Sequence, residues 1–174
     1  AGKHVVTANK ALLAVHGSEI FAAARQHGVA VAYEGAVAVS IPIVKALREG
    51  LTANRIEWVA GIVNGTTNFI LSKMRDEGLD FAEALQQAQA LGYAEADPTF
   101  DIEGVDAAHK MALLAANAFG MPVRFADAQV EGITRLQGLD VVCAEQLGFR
   151  IKLLGVAKRR KEGDSEGNVE GVEL

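Results

Sequence analysis

Cysteine is almost missing from this chain: Cys143 stands alone among 174 residues. It can close no intrachain disulfide and has no second thiol for a thiolate metal site, so nothing calls for an oxidising compartment. Positive charge is also in short supply. Against 22 Asp and Glu there are 17 Lys and Arg, leaving a net charge of −5 and a pI near 5.4. Such a chain has no general attraction for phosphate backbones or anionic membrane surfaces. The longest apolar run, Met111 to Ala116, is far below the roughly 20 residues of a membrane span, and no signal-peptide pattern is visible. The cytoplasm is the expected compartment, with neither nucleic acid nor membrane as partner. No two of the 18 glycines lie two apart, which excludes G-x-G-x-x-G, and the P-loop and H-E-x-x-H motifs are missing too. What is present is 50% hydrophobic and 22% charged residues, enough to bury a core and unlike a disordered or fibrous chain. Small neutral or zwitterionic ligands are the partners that remain.

The run His4-Val5-Val6-Thr7-Ala8 reads as a strand, 9–28 as a short helix followed by a second opened by Ser18 and Glu19, and 29–33 as a strand. Strand, crossover and strand make one βαβ unit with parallel strands, half of a doubly wound domain. A helix from Ile41-Pro42 to Glu49, a strand over 55–63, and helices over 67–76 and 81–90 follow. The most apolar helical stretch, 104–119, is stopped by Gly120-Met121-Pro122. Beyond it the pattern predicts an element over 129–133, a helix near 140–147, and a long strand over 149–158. A solvated hairpin loop over 158–167, containing Lys158-Arg159-Arg160-Lys161, and a strand over 168–174 complete it. A chain that opens on Ala1 and begins and ends inside regular structure is expected to be a piece of something longer.

Chemistry concentrates in Gly92-Tyr93-Ala94-Glu95-Ala96-Asp97-Pro98-Thr99-Phe100-Asp101-Ile102-Glu103-Gly104-Val105-Asp106-Ala107-Ala108-His109-Lys110, where five carboxylates fall within twelve residues. Pro98 makes the first part a loop, whereas Asp106 and Lys110 lie one turn apart on the following helix among small and apolar neighbours. An exposed ion pair would explain those two residues at about 0.3 to 0.5 kcal/mol. It leaves the upstream acids, which repel one another unless they face a cation or a ligand's ammonium group. A lysine beside such acids can donate or accept a proton. In Asn64-Gly65-Thr66-Thr67-Asn68 a tight turn leads into a helix whose free N–H groups suit a carboxylate, although for this motif alone simple N-capping by Thr66 is the reading to prefer. An anion site beside ammonium-binding acids describes an amino-acid pocket. Thr7-Ala8-Asn9-Lys10 ends the first strand on the side where open α/β sheets bind ligands.

Val5-Val6-Thr7-Ala8-Asn9-Lys10, Gly61-Ile62-Val63-Asn64-Gly65-Thr66-Thr67-Asn68 and the Gly92 to Lys110 segment resemble homoserine dehydrogenase in order and spacing. That resemblance implies an α+β fold: a mixed sheet covered by helices, preceded by the last βαβ piece of a Rossmann-type domain. Residues 1–38 would be the remnant of the dinucleotide-binding domain and 39–174 the catalytic domain with part of the dimerisation region. It implies interconversion of L-homoserine and L-aspartate 4-semialdehyde with NADP or NAD, on the route to threonine, methionine and isoleucine. Lys110 would be the proton donor and acceptor with Asp106 beside it. Glu95, Asp101 and Asp106 would hold the substrate's amino and hydroxyl groups, with Gly65, Thr66 and Tyr93 along its other side. Lys10 and Gly92 match positions near the nicotinamide, and the backbone carbonyls of Glu34, Val37, Val39 and Ile41 match ligands of a monovalent cation, commonly sodium. Where the family has small residues this chain has Val39-Ser40. A homodimer is implied for the full-length form, and a chain lacking the Gly-rich half is expected to show little activity by itself. The competing readings are a non-catalytic binding or assembly module with an acidic cation-binding loop, and a divalent-metal hydrolase.

Overall fold

The computed structural model describes residues 2–159 and 172–173. Its elements run β1 (Val5–Val6), α1 (Lys10–Gln26), β2 (Val31–Ala32), α2 (Ile43–Lys45) continued by a π turn (Ala46–Gly50), β3 (Trp58–Gly61), α3 (Gly65–Glu77) and α4 (Phe81–Ala90). After these come α5 (Thr99–Ile102), α6 (Val105–Phe119), α7 (Gly138–Gln146), β4 (Gly155–Arg159) and β5 (Val172–Glu173). Helices dominate, and the strands form a parallel pair β1-β2 and a separate antiparallel sheet β3-β4-β5, an α+β arrangement. Among the described residues no helix is long and apolar enough to cross a membrane. The chain divides into two compact units, one of residues 1–63, 108–129 and 155–174, the other of 64–107 and 130–154.

In the first unit β1 and β2 pair in parallel, Val5 with Val31 and Val6 with Ala32, joined by α1. This is the expected βαβ unit. The helix is not broken at Ser18: capped by Asn9 Oδ1 on Leu12 N (3.0 Å), it runs on through Gly17, Ser18 and Glu19. Glycine in a helix interior costs about 1 kcal/mol, and packing supplies the compensation. A Cβ at Gly17 would lie 3.2 Å from Val123 Cγ2, so the bare backbone lets that segment sit against α1. Leu13, Tyr33, Val44, Leu47, Met111, Leu113, Leu114 and Ala157 form the core here. In the antiparallel sheet Val59 pairs with Ala157 and faces that core, while Trp58 and Val156 stay 66% and 41% exposed.

The second unit packs α3, α4, α5 and α7 around Ile70, Leu71, Met74, Ala84, Ala88, Ile133 and Val141. The expected strand over 149–158 is shorter. Only 155–159 pairs in a sheet, and Ile151 and Leu153 pack against the helical core. Residues 129–133 form neither helix nor strand; Ile133 N–H donates to the Ile102 carbonyl at 2.8 Å. Most of the hairpin loop expected over 158–167 and of the strand over 168–174 lies outside the described residues. Lys158 pairs antiparallel with Glu173.

Candidate active site

The acidic segment leaves α4 through Gly92, whose φ of +76° is open to glycine at little cost. Tyr93 and Ala94 N–H both return to the Ala88 carbonyl, at 2.8 and 3.1 Å. The Thr66 hydroxyl donates to the Tyr93 carbonyl at 2.7 Å, and the Tyr93 ring stacks on Phe69 with centroids 4.7 Å apart. Gly92 and Tyr93 thus shape the start of the loop. Asp97 is accounted for locally: hydrogen bonds from the Thr99 hydroxyl and N–H hold it below the usual carboxylate range, where it closes the turn entering α5. Glu103 is exposed, as is Glu95, whose carbonyl accepts from Gln89 Nε2 at 3.1 Å.

Asp101 and Asp106 are drawn together by one amide. Asn64, 4% exposed, caps α3, a role the sequence reading offered to Thr66: its Oδ1 accepts from Thr67 N–H at 2.8 Å and Thr67 Oγ1 at 2.9 Å. Its Nδ2 donates to Asp101 Oδ1 at 2.7 Å and to Asp106 Oδ2 at 2.9 Å. Hydrogen bonds to ionised acceptors are the strong ones, and these two offset part of the repulsion between neighbouring carboxylates. Sequence reasoning placed Asn64 in a turn motif but missed this bridge, which spans 37 and 42 residues of chain. The signal it did carry was an Asn immediately before a helix start.

Asp106 lies in the first turn of α6, where the helix N-terminus favours negative charge. It is 5% exposed, so an ion pair on a solvated helix face does not describe it. Lys110 follows one turn later, half-buried, and its Nζ donates to the Val63 carbonyl at 2.7 Å. Beside it His109 is buried edge-on to Phe125 at 4.3 Å. The backbone that carries the two acids is held from behind at Gly132, where a Cβ would fall 2.4 Å from the Ile102 carbonyl oxygen.

Asn64, Gly65, Thr66, Gly92, Tyr93, Glu95, Asp101 and Asp106 belong to the second unit, and Lys10, Glu34, Val37, Val39, Ile41 and Lys110 to the first. Lys10 opens α1 just past the carboxyl end of β1. In the loop after β2 the Glu34 carboxylate accepts from Val44 N (2.7 Å) and Lys45 N (2.9 Å), capping α2. The Glu34 carbonyl takes Val37 N–H, and the Ile41 carbonyl takes Ile43 N–H. Val37 is buried, whereas Val39 and Ile41 are 78% and 61% exposed. Ser40 has φ +67°, a left-handed backbone costing a non-glycine residue about 1–2 kcal/mol. Among the described residues no group of three or more His, Cys, Asp and Glu side chains is placed to hold a metal ion.

Comparison with known proteins finds relatives along most of the chain. The homoserine dehydrogenase domain matches residues 42–173, and the homoserine dehydrogenase NAD binding domain matches residues 1–34. Homoserine dehydrogenase from Pseudomonas aeruginosa is 65% identical over 162 residues, 93% of this chain and 37% of that protein. The Neisseria gonorrhoeae enzyme is 60% identical over the same shares. A crystal structure of a homoserine dehydrogenase from Thiobacillus denitrificans superposes with a TM-score of 0.91 at 66% identity, covering 93% of this chain and 38% of that one. A hyperthermophilic archaeal homoserine dehydrogenase in complex with NADPH gives a TM-score of 0.76 at 29% identity, over 98% of this chain and 52% of that one. The chain spans somewhat over a third of the length of the bacterial relatives named here, and it belongs to the homoserine dehydrogenase family.

Proposed function

We propose that this chain is the substrate-handling part of a cytoplasmic oxidoreductase that interconverts L-homoserine and L-aspartate 4-semialdehyde, feeding threonine, methionine and isoleucine synthesis. Residues 1–38 are the end of its dinucleotide-binding domain and 39–174 its catalytic domain. The observation that carries the reading is the Asn64 amide holding Asp101 and Asp106 together, one helical turn before Lys110 on α6. Asp101, Asp106 and Glu95 hold the amino acid's ammonium and hydroxyl groups. The Gly65 and Thr66 end of α3, with Tyr93 beside it, receives the carboxylate, because free N–H groups and the helix dipole favour an anion there.

Reduction of the aldehyde adds a hydride to the carbonyl carbon and a proton to its oxygen. A nicotinamide, NADP or NAD, supplies the hydride when bound. Lys10 suits its neighbourhood, standing at the helix start beyond the carboxyl end of a parallel strand. Lys110 delivers the proton as charge develops on the oxygen and stabilises that charge as an ammonium; in the oxidation direction it takes the hydroxyl proton back. Its hydrogen bond to the Val63 carbonyl fixes where the amine points. The carbonyls of Glu34, Val37, Val39 and Ile41 would hold a monovalent cation such as sodium, in a loop pinned by the Glu34 carboxylate.

The exposed outer face of the antiparallel sheet, with Trp58 and Val156, is the surface through which the full-length chain forms a homodimer. The test is cofactor-coupled oxidation of L-homoserine by a chain of the relatives' length, with L-threonine as control. Lys110→Ala is expected to lower kcat about 100-fold or more with the fold intact, and turnover near the unsubstituted rate would refute the role given to Lys110.

A further inference from the structure

Glu95 is exposed, yet the backbone beneath it is built into the second unit. The loop from Gly92 to Pro98 is anchored where it begins, by Tyr93 and Ala94 N–H on the Ala88 carbonyl and by the Thr66 hydroxyl on the Tyr93 carbonyl. It is anchored again where it ends, by Thr99 N–H on Asp97 Oδ1. Between those anchors two successive carbonyls, of Glu95 and Ala96, turn to one donor: Gln89 Nε2 lies 3.1 Å from the first and 3.3 Å from the second. Gln89 is half-buried in the last turn of α4, beside Ala88, which is fully buried. Its amide has two hydrogens for two acceptors, so the pair of bonds ties down two successive peptides, Glu95–Ala96 and Ala96–Asp97.

We propose that Gln89 is a positioning residue for substrate binding. It fixes the backbone that carries the Glu95 carboxylate and thereby places that carboxylate for the ammonium group of the amino acid. The proposal rests on the role given to Glu95 above. A carboxylate on a loose loop must be ordered when the ammonium arrives, whereas one on a tied peptide has already lost that freedom, so tethering appears as affinity for substrates bearing a cation at that point.

The test is a double-mutant cycle in the complete dehydrogenase chain, using Gln89→Ala, Glu95→Gln and the pair. Gln89→Met runs in parallel, keeping the stem that packs while removing the donors. Gln89→Ala and Gln89→Met are expected to raise the KM for L-homoserine roughly tenfold, while kcat and the cofactor KM stay within about twofold. Glu95→Gln raises the homoserine KM by at least as much, and adding Gln89→Ala to it adds nothing. A merely structural Gln89 would add its penalty in either background and move the cofactor KM as well. An unchanged KM in Gln89→Ala and Gln89→Met, or additive penalties in the pair, overturns the proposal while leaving Glu95 its role. An unchanged KM in Glu95→Gln overturns the role of Glu95 and the proposal with it.

Discussion

Replacing Asn64 separates two jobs done by one side chain. Asn64→Ala removes the N-cap of α3, costing about 1 kcal/mol, and takes a donor from the buried carboxylate of Asp106, costing a further ~1.5–3 kcal/mol. The sum, about 2.5–4 kcal/mol, is large against the stability of a small unit. Asn64→Asp keeps an oxygen that can cap Thr67 N–H but sets a third carboxylate where Nδ2 now lies 2.7 and 2.9 Å from acid oxygens. Like charges about 4 Å apart cost about 4 kcal/mol at an effective dielectric constant of 20, so this variant is also strongly destabilised at neutral pH. The two differ in pH dependence. Crowded carboxylates hold protons more tightly folded than unfolded, so the folded state of Asn64→Asp binds the extra proton, and its stability falls as pH rises. Its deficit against the unsubstituted chain narrows from about pH 7 to about pH 5, while that of Asn64→Ala lacks this third-acid contribution. Urea denaturation followed by far-ultraviolet circular dichroism is the assay, because the sole tryptophan, Trp58, belongs to the other unit. An Asn64→Asp chain as stable as the unsubstituted one at neutral pH would refute the bridge between the two acids.

Two further outcomes follow from the same unit. Gly132→Ala would place a Cβ 2.4 Å from the Ile102 carbonyl oxygen and 2.5 Å from Glu103 Cα, both backbone atoms that cannot swing aside. Its expected cost is about 1–3 kcal/mol, with weaker L-homoserine binding because Asp101 and Asp106 ride on that backbone; a neutral melting temperature would refute the contact. Lys152 hydrogen-bonds Asn68 Oδ1 at 2.7 Å and Ser72 Oγ at 3.1 Å, and burial first, then the nearby charge of Arg75, pushes its amine below the ordinary lysine value. Its folded form therefore gives up a proton before the unfolded form does, so its contribution to stability rises with pH through that interval. Unfolding of Lys152→Met against the unsubstituted chain should show a difference that shifts in favour of the lysine as pH rises toward the ordinary lysine value of about 10.4. A difference independent of pH would contradict the shift.

Periodicity and caps were legible in the sequence because they are local. The βαβ opening, the span of α4, the Gly120 stop after α6, and the placing of Asp106 and Lys110 one turn apart all follow from spacings of a few residues. The motifs, also short, were enough to reveal the family. Packing decided the rest. Gly17 and Ser18 look like a helix break until Val123 fills the space that a side chain would take. The run over 149–158 alternates like a single strand, yet Ile151 and Leu153 join the helical core and only the residues from Gly155 on find a strand partner. Which of five neighbouring carboxylates share an environment could not be counted from the sequence. Asp97 spends its charge on its own turn, and Asp101 and Asp106 meet through an amide 37 and 42 residues away. Short-range order is written in adjacent side chains, but charges separated by many residues become neighbours only when the burial of apolar residues elsewhere closes the loops between them.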